Sequence, residues 1–183
     1  MKSADPREEV MEHVPALRAF ARSLTRDPVS ADDLVQDALV KAFSNFDKFQ
    51  QGTNLRAWLF TILRNCFYSN RRKAVREAED PEGTLVGALA VKPDHDGRLQ
   101  MAEFHAAFAK LSVEHREALT LIGALGMAYE EAAETCGVAV GTMKSRTNRA
   151  RKELAALMHL DEEGLGSITD QQTAAIVNAA PAA

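Results

Sequence analysis

Two helical patterns separated by a short turn occupy residues 129–158, with the sequence YEEAAETC-GVAVG-TMKSRTNRARKELAALM. A short helix from Tyr129 to Cys136, a turn that contains Gly137 and a longer basic helix from Thr142 to Met158 have the layout of a helix-turn-helix. The longer helix has one apolar face, formed by Met143, Thr147, Ala150, Leu154 and Leu157. This pattern predicts two helices within residues 129–158.

The opposite face of the longer helix carries side chains suited to DNA. Ser145, Asn148, Arg149 and Lys152 lie on it, flanked by Lys144, Arg146 and Arg151. Arg and Asn can form two hydrogen bonds with one base edge, whereas flanking cations neutralise phosphates. A solvated basic face on an ordinary helix is the alternative. The basic face occurs together with the helix-turn-helix layout, which favours DNA recognition.

Apolar residues with helical spacing also precede residue 129. One predicted helix contains the apolar positions Met101, Phe104, Phe108 and Leu111. The next predicted helix begins after an N-cap at Ser112 and ends at Gly126. In the first half, three helices are predicted from the stripes Val10 to Leu24, Val35 to Phe46 and Leu55 to Cys66, with Ser30 and Asn54 as N-caps of the second and third. Since no strand alternation occurs, the predicted fold class is all-α.

A change of composition divides the chain. Residues 77–98 contain six acids, two bases, two prolines and three glycines, which is typical of a linker. We therefore predict a helical domain at residues 8–76, a flexible linker at 77–98, a second helical domain at 99–160 and a disordered tail at 161–183.

Composition excludes several classes of protein. With 22 Lys and Arg against 26 Asp and Glu in 183 residues, the net charge of −4 argues against a general DNA-coating protein, so any DNA contact must use local patches. Cys66 and Cys136 are far apart and predicted to be buried. Phosphate-loop, HExxH and GxSxG motifs are missing, and the five histidines lack ligand spacing. We expect no catalytic residues, no metal and no cofactor, in a cytoplasmic protein without a membrane span.

A second basic patch covers residues 50–76, which hold six bases and no acid. Aromatic residues are interleaved with the bases, a composition suited to single-stranded nucleic acid because rings stack on unpaired bases. We expect Phe43, Phe46 and Trp58 to lie in the core. Phe49, Phe67 and Tyr68 are the candidates for exposure.

The segment from Asp27 to Asp47 has the opposite charge, with five aspartates against Lys41. Asp33, Gln36, Asp37 and Val40 fall on one helical face, which suits either protein docking or simple solvation. From the pattern alone, solvation is favoured.

Several motifs taken together resemble a known family. They are ADDLVQDALVKAF at 31–43, LRAWL at 55–59, Asn65, Arg71-Arg72, YEEAA at 129–133 and GTMKSRTNRAR at 141–151. In this order they resemble a bacterial RNA polymerase sigma factor of the small, two-domain, extracytoplasmic-function (ECF) type, over Val10 to Met158. YEEAAE and the VGT lead-in at 140–142 are similar to the EcfG-like subgroup, which drives the general stress response of alphaproteobacteria.

The resemblance implies three functional surfaces. The acidic second helix would dock on the clamp helices of the largest polymerase subunit, through Asp33, Gln36, Asp37 and Lys41. The promoter −10 element would be opened and held by Phe49, Gln50, Asn54, Trp58, Arg64, Asn65, Arg71 and Arg72. The −35 element would be read by Thr142, Lys144, Ser145, Arg146, Asn148, Arg149 and Lys152.

The resemblance also implies partners: core RNA polymerase, promoter DNA and an anti-sigma factor. A sigma-mimicking response regulator would release the sigma factor from the anti-sigma factor. Three positions depart from the family pattern, since Thr147 replaces Leu or Ile, Phe43 replaces Trp and Asp37 replaces Glu. Two alternatives stay open. One is a sigma-like decoy that only binds an anti-sigma protein, and the other is a stand-alone helix-turn-helix repressor.

Overall fold

The computed structural model describes residues 9–78 and 96–160, and the side chains of 9–77 and 101–160. The first unit contains a 3-10 turn at Val10–His13 and three helices, α1 (Val14–Thr25), α2 (Pro28–Ser44) and α3 (Leu55–Ala78), with a second 3-10 turn at Phe46–Lys48 between α2 and α3. The second unit contains α4 (Asp96–Lys110), α5 (Val113–Ala118), a π-helical continuation at Leu119–Ala124, α6 (Tyr129–Cys136) and α7 (Val140–Leu157). Every regular element in the described part of the chain is helical, which confirms the all-α prediction.

Most of the predicted helix ends are confirmed. Asn54 caps α3, because its Oδ1 accepts from the Ala57 amide at 3.0 Å, and the Ser112 hydroxyl accepts from the His115 amide at 3.2 Å. Gly126 and Gly137 have φ angles of 62° and 65°, the left-handed conformation that ends a helix at little cost in glycine.

Two predicted helix starts are wrong. α2 begins at Pro28, and its N-cap is Asp27 rather than Ser30: the Asp27 Oδ2 accepts from the Ser30 amide at 2.7 Å. Pro28 at the first helical position starts a helix rather than ending one, because its missing amide hydrogen is not needed there. α7 begins at Val140, two residues before the predicted Thr142, so the turn is only residues 137–139.

The two units share a hydrophobic core. One cluster of buried side chains includes Phe20, Phe60 and Leu63 of the first unit together with Leu121 and Met143 of the second. A second cluster lies within the second unit and joins α4 to α7 through Phe104, Phe108, Leu119, Ala150 and Leu154. The first unit therefore lies directly against the second in this structure.

Two predictions about aromatic side chains are wrong. Phe43 is 43% exposed because the buried side of α2 is formed by Leu34, Ala38 and Ala42, and Phe43 points away from it. Phe49 is only 8% exposed because it packs on Phe46, with 5.6 Å between ring centroids.

Much of the predicted linker and the whole tail lie outside the described residues. At the linker's ends, α3 runs to Ala78 and α4 begins at Asp96, so both ends are helical. Among the described residues, none of the helices is long and apolar enough to cross a bilayer.

Candidate nucleic-acid and protein interfaces

The polar face of α7 is solvent-exposed. Met143, Thr147, Ala150 and Leu154 are fully buried beneath it, as the sequence pattern predicts. Of the side chains predicted to contact the −35 element, Arg146 is half-buried and the others are exposed: Thr142, Lys144, Ser145, Asn148, Arg149 and Lys152. They form one cationic surface that can meet DNA without rearrangement of the helix.

Two local contacts shape this surface. The Thr147 hydroxyl donates to the Met143 carbonyl at 2.9 Å, so the hydrogen-bonding capacity of this buried polar residue is satisfied inside the core. The Lys144 Nζ lies 5.7 Å from the centroid of the Tyr129 ring on α6, a cation–π contact that links the two helices of the motif.

The acidic face of α2 is also exposed. Asp33, Gln36, Asp37 and Lys41 all lie on the surface, and Val40 between them is 66% exposed. Asp37 accepts a weak hydrogen bond from the Asn70 Nδ2 of α3 at 3.4 Å. A mixed apolar and acidic strip on a rigid helix suits a protein partner with a basic surface.

The residues predicted to contact the −10 element do not all share one surface. Gln50, Asn65, Arg71 and Arg72 are exposed, whereas Phe49 is buried and Trp58 and Arg64 are half-buried. Trp58 packs edge-on against Phe46 at 5.8 Å and lies 5.2 Å from Phe49. Phe49 thus supports Trp58 from within instead of facing solvent.

A surface groove follows the C-terminal half of α3. Its volume is about 470 Å³, and it is lined by Tyr68, Arg71, Arg72, Val75 and Arg76. Three guanidinium groups beside an aromatic ring combine phosphate neutralisation with a stacking surface, which suits a nucleic-acid strand.

Arg64 is paired with an acid of the second unit. Its Nε donates to the Glu117 Oε1 at 2.9 Å, and its guanidinium lies 4.6 Å from the centroid of the Tyr68 ring. Burial raises the pKa of Glu117, and Arg64 opposes this shift without cancelling it. Burial likewise raises the pKa of Tyr68 to about 12.

Asn54 forms a second contact of this kind. Its Nδ2 donates to the Glu131 Oε1 of α6, while its Oδ1 caps α3. Glu131 also accepts from the Ala128 amide at 3.2 Å, which anchors the carboxylate at the start of α6. Two residues predicted to bind the −10 element therefore contact carboxylates of the second unit.

Guanidinium groups also bind helix ends across the contact between the units. Arg116, which is 3% exposed, donates to the Ser23 and Leu24 carbonyls at the end of α1, at 2.7 and 3.3 Å. In the other direction, Arg26 donates to the Ala109 carbonyl at 3.1 Å, and Arg56 donates to the Leu125 carbonyl. Cations stabilise the C-terminal end of a helix because its last carbonyls have no partner within the helix.

The sequence patterns do not identify Arg116 and Glu117 as functional residues. They lie in a helix whose pattern indicates only an apolar stripe, and local sequence does not show that the polar side of α5 faces another unit. Cys66 and Cys136 are buried free thiols, as predicted, and burial raises the pKa of Cys136 to about 12. Within the described ranges, no cluster of His, Cys, Asp or Glu could hold a metal ion.

Both halves of the chain match known families. The family described as Sigma-70 region 2 matches residues 10–77, and the one described as Sigma-70, region 4 matches residues 101–154. The chain belongs to the sigma-70 family. We therefore call the first unit region 2 and the second region 4.

Relatives place the chain more finely within the sigma-70 family. The ECF RNA polymerase sigma factor EcfG of Rhodopseudomonas palustris (strain TIE-1) is 52% identical over 155 residues, which are 85% of this chain and 86% of that protein. CnrH of Cupriavidus metallidurans is 33% identical over 165 residues, 84% of this chain and 86% of the relative. The EcfG-like ECF assignment is confirmed by the first of these identities.

A solved structure has a similar fold over both regions. The sigma factor RpoE of Bartonella quintana, crystallised in complex with the anti-sigma factor NepR, is 49% identical and superposes with a TM-score of 0.77. The superposition covers 86% of this chain and 99% of RpoE.

Proposed function

We propose that this protein binds core RNA polymerase and directs it to the promoters of stress-response genes. The observation that carries the proposal is the presence on one chain of two exposed surfaces of opposite charge, the acidic face of α2 in region 2 and the basic face of α7 in region 4. The protein itself makes and breaks no covalent bonds, since the polymerase synthesises the RNA. It acts in the cytoplasm, where the polymerase and the promoters are.

Each surface has a separate task. The acidic face of α2 docks on a basic surface of the polymerase through Asp33, Gln36, Asp37 and Lys41. The basic face of α7 enters the major groove of the −35 element, where Asn148 and Arg149 contact base edges while Lys144 and Lys152 neutralise phosphates. Two contacts at a fixed separation then set where transcription begins.

Promoter melting is the task of α3. An unpaired base of the −10 element needs a ring to stack on and cations along its backbone, and Trp58, Arg71 and Arg72 supply them. Arg64 and Asn54 contact the same strand. Capture of that base offsets the free energy of unpairing, because the protein binds the open strand better than the duplex.

An anti-sigma factor is the proposed inhibitor. RpoE of Bartonella quintana has been solved bound to the anti-sigma factor NepR, and RpoE and this chain are 49% identical over the aligned residues. We infer that a small protein of that class holds this sigma factor inactive until a sigma-mimicking response regulator releases it.

The dependence of promoter binding on core polymerase tests the proposal. Sheared genomic DNA is captured on the tagged protein, with and without core polymerase, and the captured fragments are sequenced. We expect enrichment of one pair of −35 and −10 elements only when core polymerase is present. Tight capture of a palindromic site without polymerase would instead identify a repressor. Capture of no specific sequence under either condition, from a protein that still binds an anti-sigma factor, would identify a decoy.

A further inference from the structure

Two residues of the proposed −10 surface are occupied by acids of region 4. Glu117 of α5 accepts from Arg64 at 2.9 Å, and Glu131 of α6 accepts from Asn54. Both acceptors are carboxylate oxygens, and both donors lie on or directly before α3. Region 4 thus presents negative charge to the part of region 2 that has to bind a polyanion.

The contact at Glu117 is deeply buried. The Glu117 side chain is 1% exposed, and its neighbour Arg116 reaches in the other direction to the end of α1. Taking charges out of water costs free energy, and pairing returns only part of that cost. The raised pKa of Glu117 agrees with this balance, because burial outweighs the attraction of Arg64. The Arg64–Glu117 pair therefore adds little net stability to the closed protein. Its main effect is to select the one arrangement of the two regions in which both charges have a partner.

The composition of the contact suits regions that can separate. Apolar side chains of both regions meet in one cluster, but charged side chains lie among them: Arg56, Arg64, Arg116 and Glu117. Contacts between domains that move are more polar than permanent cores. Once the regions separate, these charged groups regain water, which lowers the cost of opening.

We propose that Glu117 and Glu131 are internal competitors of promoter DNA, which keep region 2 closed against region 4 until core polymerase and DNA replace them. The inference rests on the proposed −10 function of Arg64 and Asn54. The Glu117 carboxylate occupies the Nε–Nη2 edge of the Arg64 guanidinium, at 2.9 and 3.5 Å, so a phosphate cannot bind that edge while the pair is formed. Because only open molecules bind the melted strand, the apparent association constant of the free protein is the intrinsic constant multiplied by the open fraction.

The size of the free protein tests the closed state without DNA. The radius of gyration is measured by small-angle X-ray scattering for the wild type, Glu117→Arg and a control, Glu103→Arg, in which an exposed acid of α4 undergoes the same change of charge. We expect Glu117→Arg to enlarge the radius of gyration, because two guanidinium groups would then face each other, and Glu103→Arg to leave it unchanged.

A charge swap distinguishes loss of the ion pair from a general loss of folding. In the double variant Arg64→Glu/Glu117→Arg the pair is restored with reversed polarity, and we expect the radius of gyration to return to the wild-type value. If Glu117→Arg loses helical circular dichroism, the milder Glu117→Gln replaces it in the comparison. An unchanged radius in a folded Glu117 variant would overturn the inference, and so would a folded double variant that remains enlarged.

A DNA measurement separates this inference from the proposed function. A short single-stranded oligonucleotide of mixed sequence is titrated with Glu117→Gln and with Glu103→Gln, without polymerase. We expect the Glu117 variant to bind roughly 5- to 150-fold more tightly, the usual range for coupled states. Equal binding by the two variants would overturn the inference. A protein that opens when Glu117 is changed, yet never supports transcription with core polymerase, would instead contradict the proposed function.

Discussion

Asp37→Arg is expected to abolish stable association with core RNA polymerase. Asp37 is exposed in the middle of the acidic face of α2, where it accepts a weak hydrogen bond from Asn70. The new cation would therefore repel a basic partner while leaving the fold intact. Loss of one member of a buried interfacial charge pair costs about 2–5 kcal/mol, which weakens binding roughly 30-fold or more.

Co-purification with core polymerase measures this effect. Glu12→Arg is the matched control, because Glu12 is an exposed acid at the other end of region 2 and the change in charge is identical. Both variants should unfold at the wild-type temperature. Association of Asp37→Arg at wild-type strength would show that the polymerase does not dock on this face.

Arg149→Ala is expected to remove most transcription from one promoter class while core polymerase still binds. Arg149 is exposed on α7, opposite the buried Met143, Ala150 and Leu154. A bidentate contact between an arginine and a base is worth about 1–3 kcal/mol of discrimination, so promoter use should fall roughly 5- to 150-fold. Base preference should relax at the contacted position of the −35 element and nowhere else.

Lys152→Ala is the control for a contact with phosphate. It should weaken binding to all promoters alike and lower the slope of log affinity against log salt by roughly 0.9, whereas Arg149→Ala should mainly change sequence preference. Transcription from a library of −35 variants measures both effects. If Arg149→Ala lost core polymerase instead, Arg149 would have a structural role.

Sequence patterns predict the structure correctly where it depends on residues that are close together in the chain. The apolar face of α7 and the exposure of Arg149 follow from helical spacing, and Gly137 ends α6 because a left-handed residue is needed there. The start of α2 was predicted wrongly because Asp27 and Pro28 suit the beginning of one helix as well as the end of another.

The contact between the two regions could not be predicted in this way. Glu117 and Arg116 are adjacent in sequence, but their partners Arg64 and Ser23 are 53 and 93 residues away. Phe49 is a candidate for exposure in the sequence, yet the 3-10 turn at Phe46–Lys48 brings it onto Phe46 and Trp58. Side chains whose surroundings come from distant segments require the three-dimensional structure.

Transcription of sheared genomic DNA by core polymerase, with and without this protein, tests the central claim most directly. The RNA 5′ ends are sequenced in both reactions. We predict that the protein adds a set of new starts, each preceded by the same −35 and −10 elements at one spacing. A protein that binds core polymerase or a small inhibitory partner but adds no start would contradict the claim that it selects promoters.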